Sequence, residues 1–150
     1  MAIALREYNR KQTSLMLDIP ALRLKFFTDE GLCPWVSVKT GKGNERKYSQ
    51  RDVVFLAIVK EMWEAGISLA TLKTFVNQCQ NHENMSMITA RVSYSITEIP
   101  ESLHLVITGY SSKQYTFDLH NSDTVTIKSE AVSTMIFNLR RIASKIDWQI

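Results

Sequence analysis

Residues 50–66, QRDVVFLAIVKEMWEAG, are apolar around most of the circumference that a helix would give them. Such a helix cannot lie on a surface and must be wrapped by other elements. Ser49, with Asp52 three residues later, forms a capping-box start, and Gly66 ends the run. Whatever else the chain builds, it must supply enough apolar surface to enclose this helix. With 150 residues, 45% hydrophobic and 22% charged, it has the means of one ordinary globular domain, or of two small ones sharing a core.

The residues before this helix read as a second helical unit. Residues 9–17 suit a short helix. Asp18 and Pro20 mark a restart, because proline is tolerated in a first turn where its missing N–H costs nothing. The following helix is expected to run to about Asp29, with Gly31 in the left-handed position beyond its last turn. Ile19, Leu22 and Phe26 recur at helical spacing, as do Leu24 and Phe27. Two helices joined this tightly make a helix-turn-helix unit. Residues 36–48 alternate briefly, pass through the Gly-rich TGKGN and return through a charged stretch to Tyr48, which reads as a small hairpin. After Gly66, Ser68 caps a fourth helix with Leu69, Leu72, Phe75 and Val76 inward.

Beyond a polar stretch at 77–87 the period changes from helical to alternating. Val92, Tyr94 and Ile96 alternate with polar residues, and so do Leu103, Leu105 and Ile107, then Tyr115, Phe117 and Leu119, then Val125 and Ile127. These are expected to be half-buried antiparallel strands. Val132, Ile136, Leu139, Ala143 and Ile146 then fall at 4-3-4-3 spacing, with Met135 and Ile142 beside them, and predict a terminal amphipathic helix. The expected fold class is α+β: an N-terminal winged helix-turn-helix of four helices with a wing hairpin, then a small antiparallel sheet and a C-terminal helix. The expected division is 1–80, a linker at 81–90, and 91–150.

Charge is unevenly spread. Residues 1–51 carry 10 lysines and arginines against 5 acids, and residues 81–150 carry 6 against 7. A basic front joined to a neutral back suits a polyanionic partner at the front. Enzymatic chemistry finds little support. TGKGN lacks the spacing of a phosphate loop, and His82, His104 and His120 are scattered. Cys79 with His82 is too small a set for a metal, and Cys33 beside Pro34 and Trp35 reads as packing. No cofactor or metal is expected. No apolar run approaches the ~20 residues of a membrane helix, the N-terminus is too polar for a signal peptide, and two cysteines make no disulfide framework. These features read as a cytoplasmic protein with no membrane partner.

Three stretches resemble the MerR family of winged-helix transcription regulators. The recognition helix of that family commonly ends in a pattern close to T-L-R-Y-Y-E-x-x-G-L, where this chain has R-L-K-F-F-T-D-E-G-L from Arg23 to Leu32. The family's wing tends to end in Y-R-x-Y-S, and Glu45 to Ser49 read E-R-K-Y-S. A G-x-S-L-x-x-I start of the next helix corresponds to G-I-S-L-A-T-L, Gly66 to Leu72. The resemblance implies that Lys25 stands at the family's arginine near the DNA backbone, Phe26 and Phe27 where tyrosines are common, and Arg46 at the wing arginine. Arg23 replaces a frequent threonine and becomes a candidate for an extra DNA contact. The full set of candidate DNA-binding residues is Arg10, Lys11, Arg23, Lys25, Phe26, Lys39, Lys42, Arg46, Lys47 and Tyr48. Phe27, Trp35 and Trp63 read as packing residues.

The resemblance implies a bacterial homodimer that binds double-stranded DNA and answers to an effector, a small molecule or a protein. Family members usually dimerise through a long helix after the winged domain, but NHENMSM gives no heptad run. Dimerisation is therefore expected through the sheet and the terminal helix, at Val132, Met135, Ile136, Leu139, Ile142, Ala143 and Ile146. Two other readings compete with the regulator: a winged-helix protein-interaction module, and an excisionase-like DNA architecture factor.

Overall fold

In a computed structural model, which describes residues 6–36, 46–81, 99–111 and 113–149, the first described element is a strand that its pattern does not announce. Strand β1 (Glu7–Tyr8) pairs antiparallel with β2 (Tyr48–Ser49). Between them lie α1 (Arg10–Leu17) and α2 (Ala21–Asp29). After β2 come α3 (Gln50–Glu64) and α4 (Leu69–Asn81), and then β3 (Leu103–Gly109), β4 (Tyr115–Asn121), β5 (Ser133–Asn138) and α5 (Leu139–Ser144). The tip of the expected wing, most of the linker and the strand expected at Val92, Tyr94 and Ile96 lie outside the described residues.

Local chemistry sets the helix boundaries. Asn9 accepts from the Gln12 N–H at 2.8 Å while the Gln12 side chain accepts from the Asn9 N–H at 2.9 Å, a reciprocal cap on α1. The helix stops at Asp18, whose backbone is left-handed at φ 53° and ψ 51°. The Ile19 N–H then reaches back to the Ser14 carbonyl at 3.0 Å and closes the turn. Pro20 restarts the chain as the N-cap of α2. Ser49 and Asp52 form the expected capping box on α3, and Gly31 and Gly66 take positive φ of 77° and 90°.

Helix α3 is enclosed as its sequence demands. Val53, Val54, Phe55, Leu56, Ile58, Val59 and Met62 are all buried. Helix α1 lies against one side, and α4 and α5 take others. An aromatic file crosses the core from Trp35 to Phe55, Phe75 and Phe117, with ring centroids 4.9, 5.9 and 5.5 Å apart. Edge and stacked contacts of this kind add to plain burial. The file runs from the turn after α2 through α3 and α4 into the sheet, so one buried cluster spans the front and back of the chain.

The sheet is antiparallel with order β4-β3-β5. Leu105 faces Leu119 and Phe137 across the two ladders, and Ile107 faces Phe117 and Met135. That row is the core face that the alternation predicts. Two expectations are corrected here. Val125 and Ile127 form no strand, and Ile127 is exposed. The terminal helix is six residues long, because residues 133–138 join the sheet as β5. V-S-T-M-I-F satisfies period 2 as well as helical spacing, and its β-branched and aromatic residues fit the open edge of β3. Met135 and Phe137 turn inward, while Asn138 accepts from the Arg141 N–H and starts α5. Helix α5 buries Leu139, Ile142 and Ala143. Beyond it the Asp147 N–H bonds the Met16 carbonyl at 3.1 Å, and Trp148 packs on Tyr8 at 6.2 Å.

The left-handed Asp18 gives a direct test of the turn between α1 and α2. Asp18→Gly removes the Cβ crowding and is expected to raise stability by up to ~1 kcal/mol, whereas Asp18→Val should lower it by ~1–2 kcal/mol. Urea denaturation of the two variants reads the difference; a valine variant as stable as the glycine one would refute the strained turn.

Candidate nucleic-acid interface

Helix α2 divides into two faces. Leu24, Phe27 and Thr28 are buried, and at ~100° per residue they point one way. Leu22, Lys25, Phe26 and Asp29 fall at i, i+3, i+4 and i+7 on the opposite face. Leu22 is 81% exposed, so the helical spacing it shares with Ile19 and Phe26 does not carry it into the core. Leu22 and Leu24 lie ~200° apart on a helix and cannot both face inward. Phe26 is half-buried, with its ring 5.6 Å from Trp63 and 6.2 Å from Phe27. Phe27 is fully buried against Trp63 at 5.7 Å, as its packing role requires.

The base of the wing is fixed to this helix by two contacts. The Tyr48 hydroxyl lies 3.0 Å from Thr28 Oγ1, which donates to the Leu24 carbonyl at 2.8 Å. Tyr48, a candidate DNA contact in the sequence, has 0% exposure and is a buried side chain. Burial raises the Tyr48 phenol above its ordinary range. Arg46, its side chain only 12% exposed, donates to Asp29 Oδ1 at 2.5 Å. Lys25 donates to the other Asp29 oxygen at 2.8 Å. Hydrogen bonds from Lys25 and Arg46 hold the Asp29 carboxyl below its ordinary value of 3.8.

An acid on the outward face of α2 is thus clasped by two cations. Beyond the helix end, Lys73 of α4 pairs with Glu30 at 2.9 Å. Arg23 stands on the flank of α2, exposed, and makes no ion pair among the described residues. Arg10, Lys11 and Lys47 are exposed, while Lys39 and Lys42 lie outside the described residues. The structure therefore gathers Arg23, Lys25, Phe26 and Arg46 at α2. The Asp29 clasp and the outward Leu22 were not foreseen. Helical phasing of 22 against 24, 27 and 28 carries the signal for the second.

The seven residues assigned to a dimer contact do not form one helical stripe. Leu139, Ile142, Ala143 and Ile146 are buried in the chain's own core, whereas Val132 and Ile136 are 78% and 47% exposed beside and on β5. Neither thiol is open to chemistry. Cys33 is buried with Sγ 3.6 Å from Asp52 Oδ1, and desolvation, aided by that carboxylate, raises its pKa well above 9.0. Desolvation pushes Cys79 up to about 12. Among the described residues no group of three or more His, Cys, Asp or Glu could hold a metal, and no helix is long and apolar enough to cross a membrane.

A tight pair of helices with an exposed second helix, followed by a strand braced against it, defines a helix-turn-helix of the DNA-binding class. Residues 8–79 match the family model described as MerR HTH family regulatory protein, and this part of the chain is a MerR-family helix-turn-helix domain. Such domains belong to DNA-binding transcription regulation. No curated protein matches the chain.

Two measurements follow from this geometry. Asp29→Asn leaves Lys25 and Arg46 without their counter-charge, so DNA binding should tighten and its salt slope steepen by about one; unchanged affinity and slope would mean that the clasp does not face DNA. Ellman's reagent at pH 8 should find no fast thiol in the folded protein and two in guanidinium, because a thiol with a pKa of about 12 is thiolate in only ~1 of 10⁴ molecules. The same shift makes the contribution of Cys79 to stability complete below 9.0 and lost as pH rises from there towards about 12.

Proposed function

We propose that the chain is a sequence-specific transcription regulator whose α2 enters the major groove while residues 36–48 lie along the DNA backbone. It acts as a homodimer on a two-fold operator, in the cytoplasm of a bacterium. The observation that carries this reading is the outward face of α2, where Leu22, Lys25, Phe26 and Asp29 align, flanked by Arg23, with Arg46 clasping Asp29 on that face and Tyr48 bracing the helix from its buried side through Thr28. The basic front of the chain supports it, since phosphate neutralisation supplies much of the affinity of such proteins. A two-fold operator calls for a two-fold protein, and Val132 and Ile136 are the most accessible of the residues assigned to that contact.

Fluorescence anisotropy on the chain's own promoter region, against a scrambled duplex and across salt, tests the proposal. Tight binding to the first duplex alone, falling steeply with salt, is expected. Arg23→Ala should weaken it by about tenfold or more if the guanidinium pairs with guanine, and Lys25→Ala should lower affinity for both duplexes alike. Equal and feeble binding to both would sink the regulator reading and leave the protein-interaction module.

A further inference from the structure

Leu22 has no structural work to do inside the protein. Among the described residues it is the most exposed large apolar side chain, at 81%. A lone exposed leucine is ordinary on a protein surface. The position of this one is not. It lies in the first turn of α2, which begins at Ala21, and points directly away from the side buried through Leu24, Phe27 and Thr28. Arg23 flanks it, and Lys25 lies one turn further along the same face. In a helix-turn-helix the N-terminal residues of the second helix meet the base edges. The charged groups further along α2 are committed to one another through Asp29, which leaves the first turn as the bare reading surface.

The chemistry of a leucine then narrows what it can read. It has neither donor nor acceptor. Set against the amino group of adenine or cytosine, or against the acceptors of guanine, it would strip water from a polar edge and offer nothing back. Of the four bases, thymine alone presents an apolar group in the major groove, its 5-methyl. Ala21, exposed beside Leu22, widens the same apolar surface.

We propose that Leu22 is a specificity-determining residue, taking the 5-methyl group of a thymine in the major groove and so making that thymine a required letter of the target sequence. The inference rests on the DNA-binding reading above and adds to it the base that is read.

The test removes one methyl group and nothing else. Duplexes are selected from a random-sequence library with the full chain, and each thymine of the selected site is replaced in turn by deoxyuridine. Burial of one methyl predicts that a single such exchange weakens the wild-type protein by about fourfold. Leu22→Ala, which disturbs no core contact, should bind the thymine and deoxyuridine duplexes equally, near the wild-type affinity for the latter. A selected site with no methyl-sensitive thymine overturns the proposal, and so does a methyl effect that survives in Leu22→Ala. Both of those outcomes leave salt-dependent DNA recognition standing. Failure to select any sequence, with no salt-dependent binding, overturns the DNA reading and the inference with it.

Discussion

The burial of α3 is the constraint from which the rest of the structure follows. A fifteen-residue helix with Val53, Val54, Phe55, Leu56, Ile58, Val59 and Met62 all shielded needs neighbours on several sides at once. Helices α1 and α4 cannot enclose it alone. Helix α5 completes the enclosure, which is why Leu139, Ile142, Ala143 and Ile146 are core residues and not a free face. The sheet enters the same core through Phe117 against Phe75. Helix α2 rests on this mass through Phe27 and Trp63, so its outward face is held from behind by packed side chains.

What the sequence makes legible is what local chemistry decides. The capping box at Ser49, the restart at Pro20 and the stops at Gly31 and Gly66 each need only a few adjacent residues. The alternation of Leu103, Leu105 and Ile107 matches the observed core face for the same reason. What stays hidden is what distant partners decide. Strand β1 is two residues long and exists because Tyr48 and Ser49 pair with it. Residues 133–138 satisfy two periods, and the ladder with β3 selects one of them. On α2, Arg23 and Lys25 are visible as basic residues, but the role of Asp29 depends on Arg46, seventeen positions away. Tyr48 resembles a surface aromatic until Thr28 is brought to its hydroxyl.

The proposed interface combines two kinds of group that would work on DNA by different physics. Lys25 and Arg46 carry charge, yet each is already satisfied by Asp29, so a phosphate must compete for them. Such an exchange discriminates poorly among sequences but responds to ionic strength. Leu22 carries no charge, and in the proposed contact it would act only at short range, where shape and desolvation decide.

The bond from the Asp147 N–H to the Met16 carbonyl, with Trp148 on Tyr8, joins late residues of the chain to its early ones. Synthesis proceeds from the N-terminus, and domains generally fold as they emerge. Residues 8–79 therefore leave the ribosome with one flank of α3 still uncovered, and only after β3, β4 and β5 have been made can α5 close it. The nascent helix-turn-helix domain carries an exposed apolar flank for the whole time that the sheet is being translated, and its maturation waits on α5.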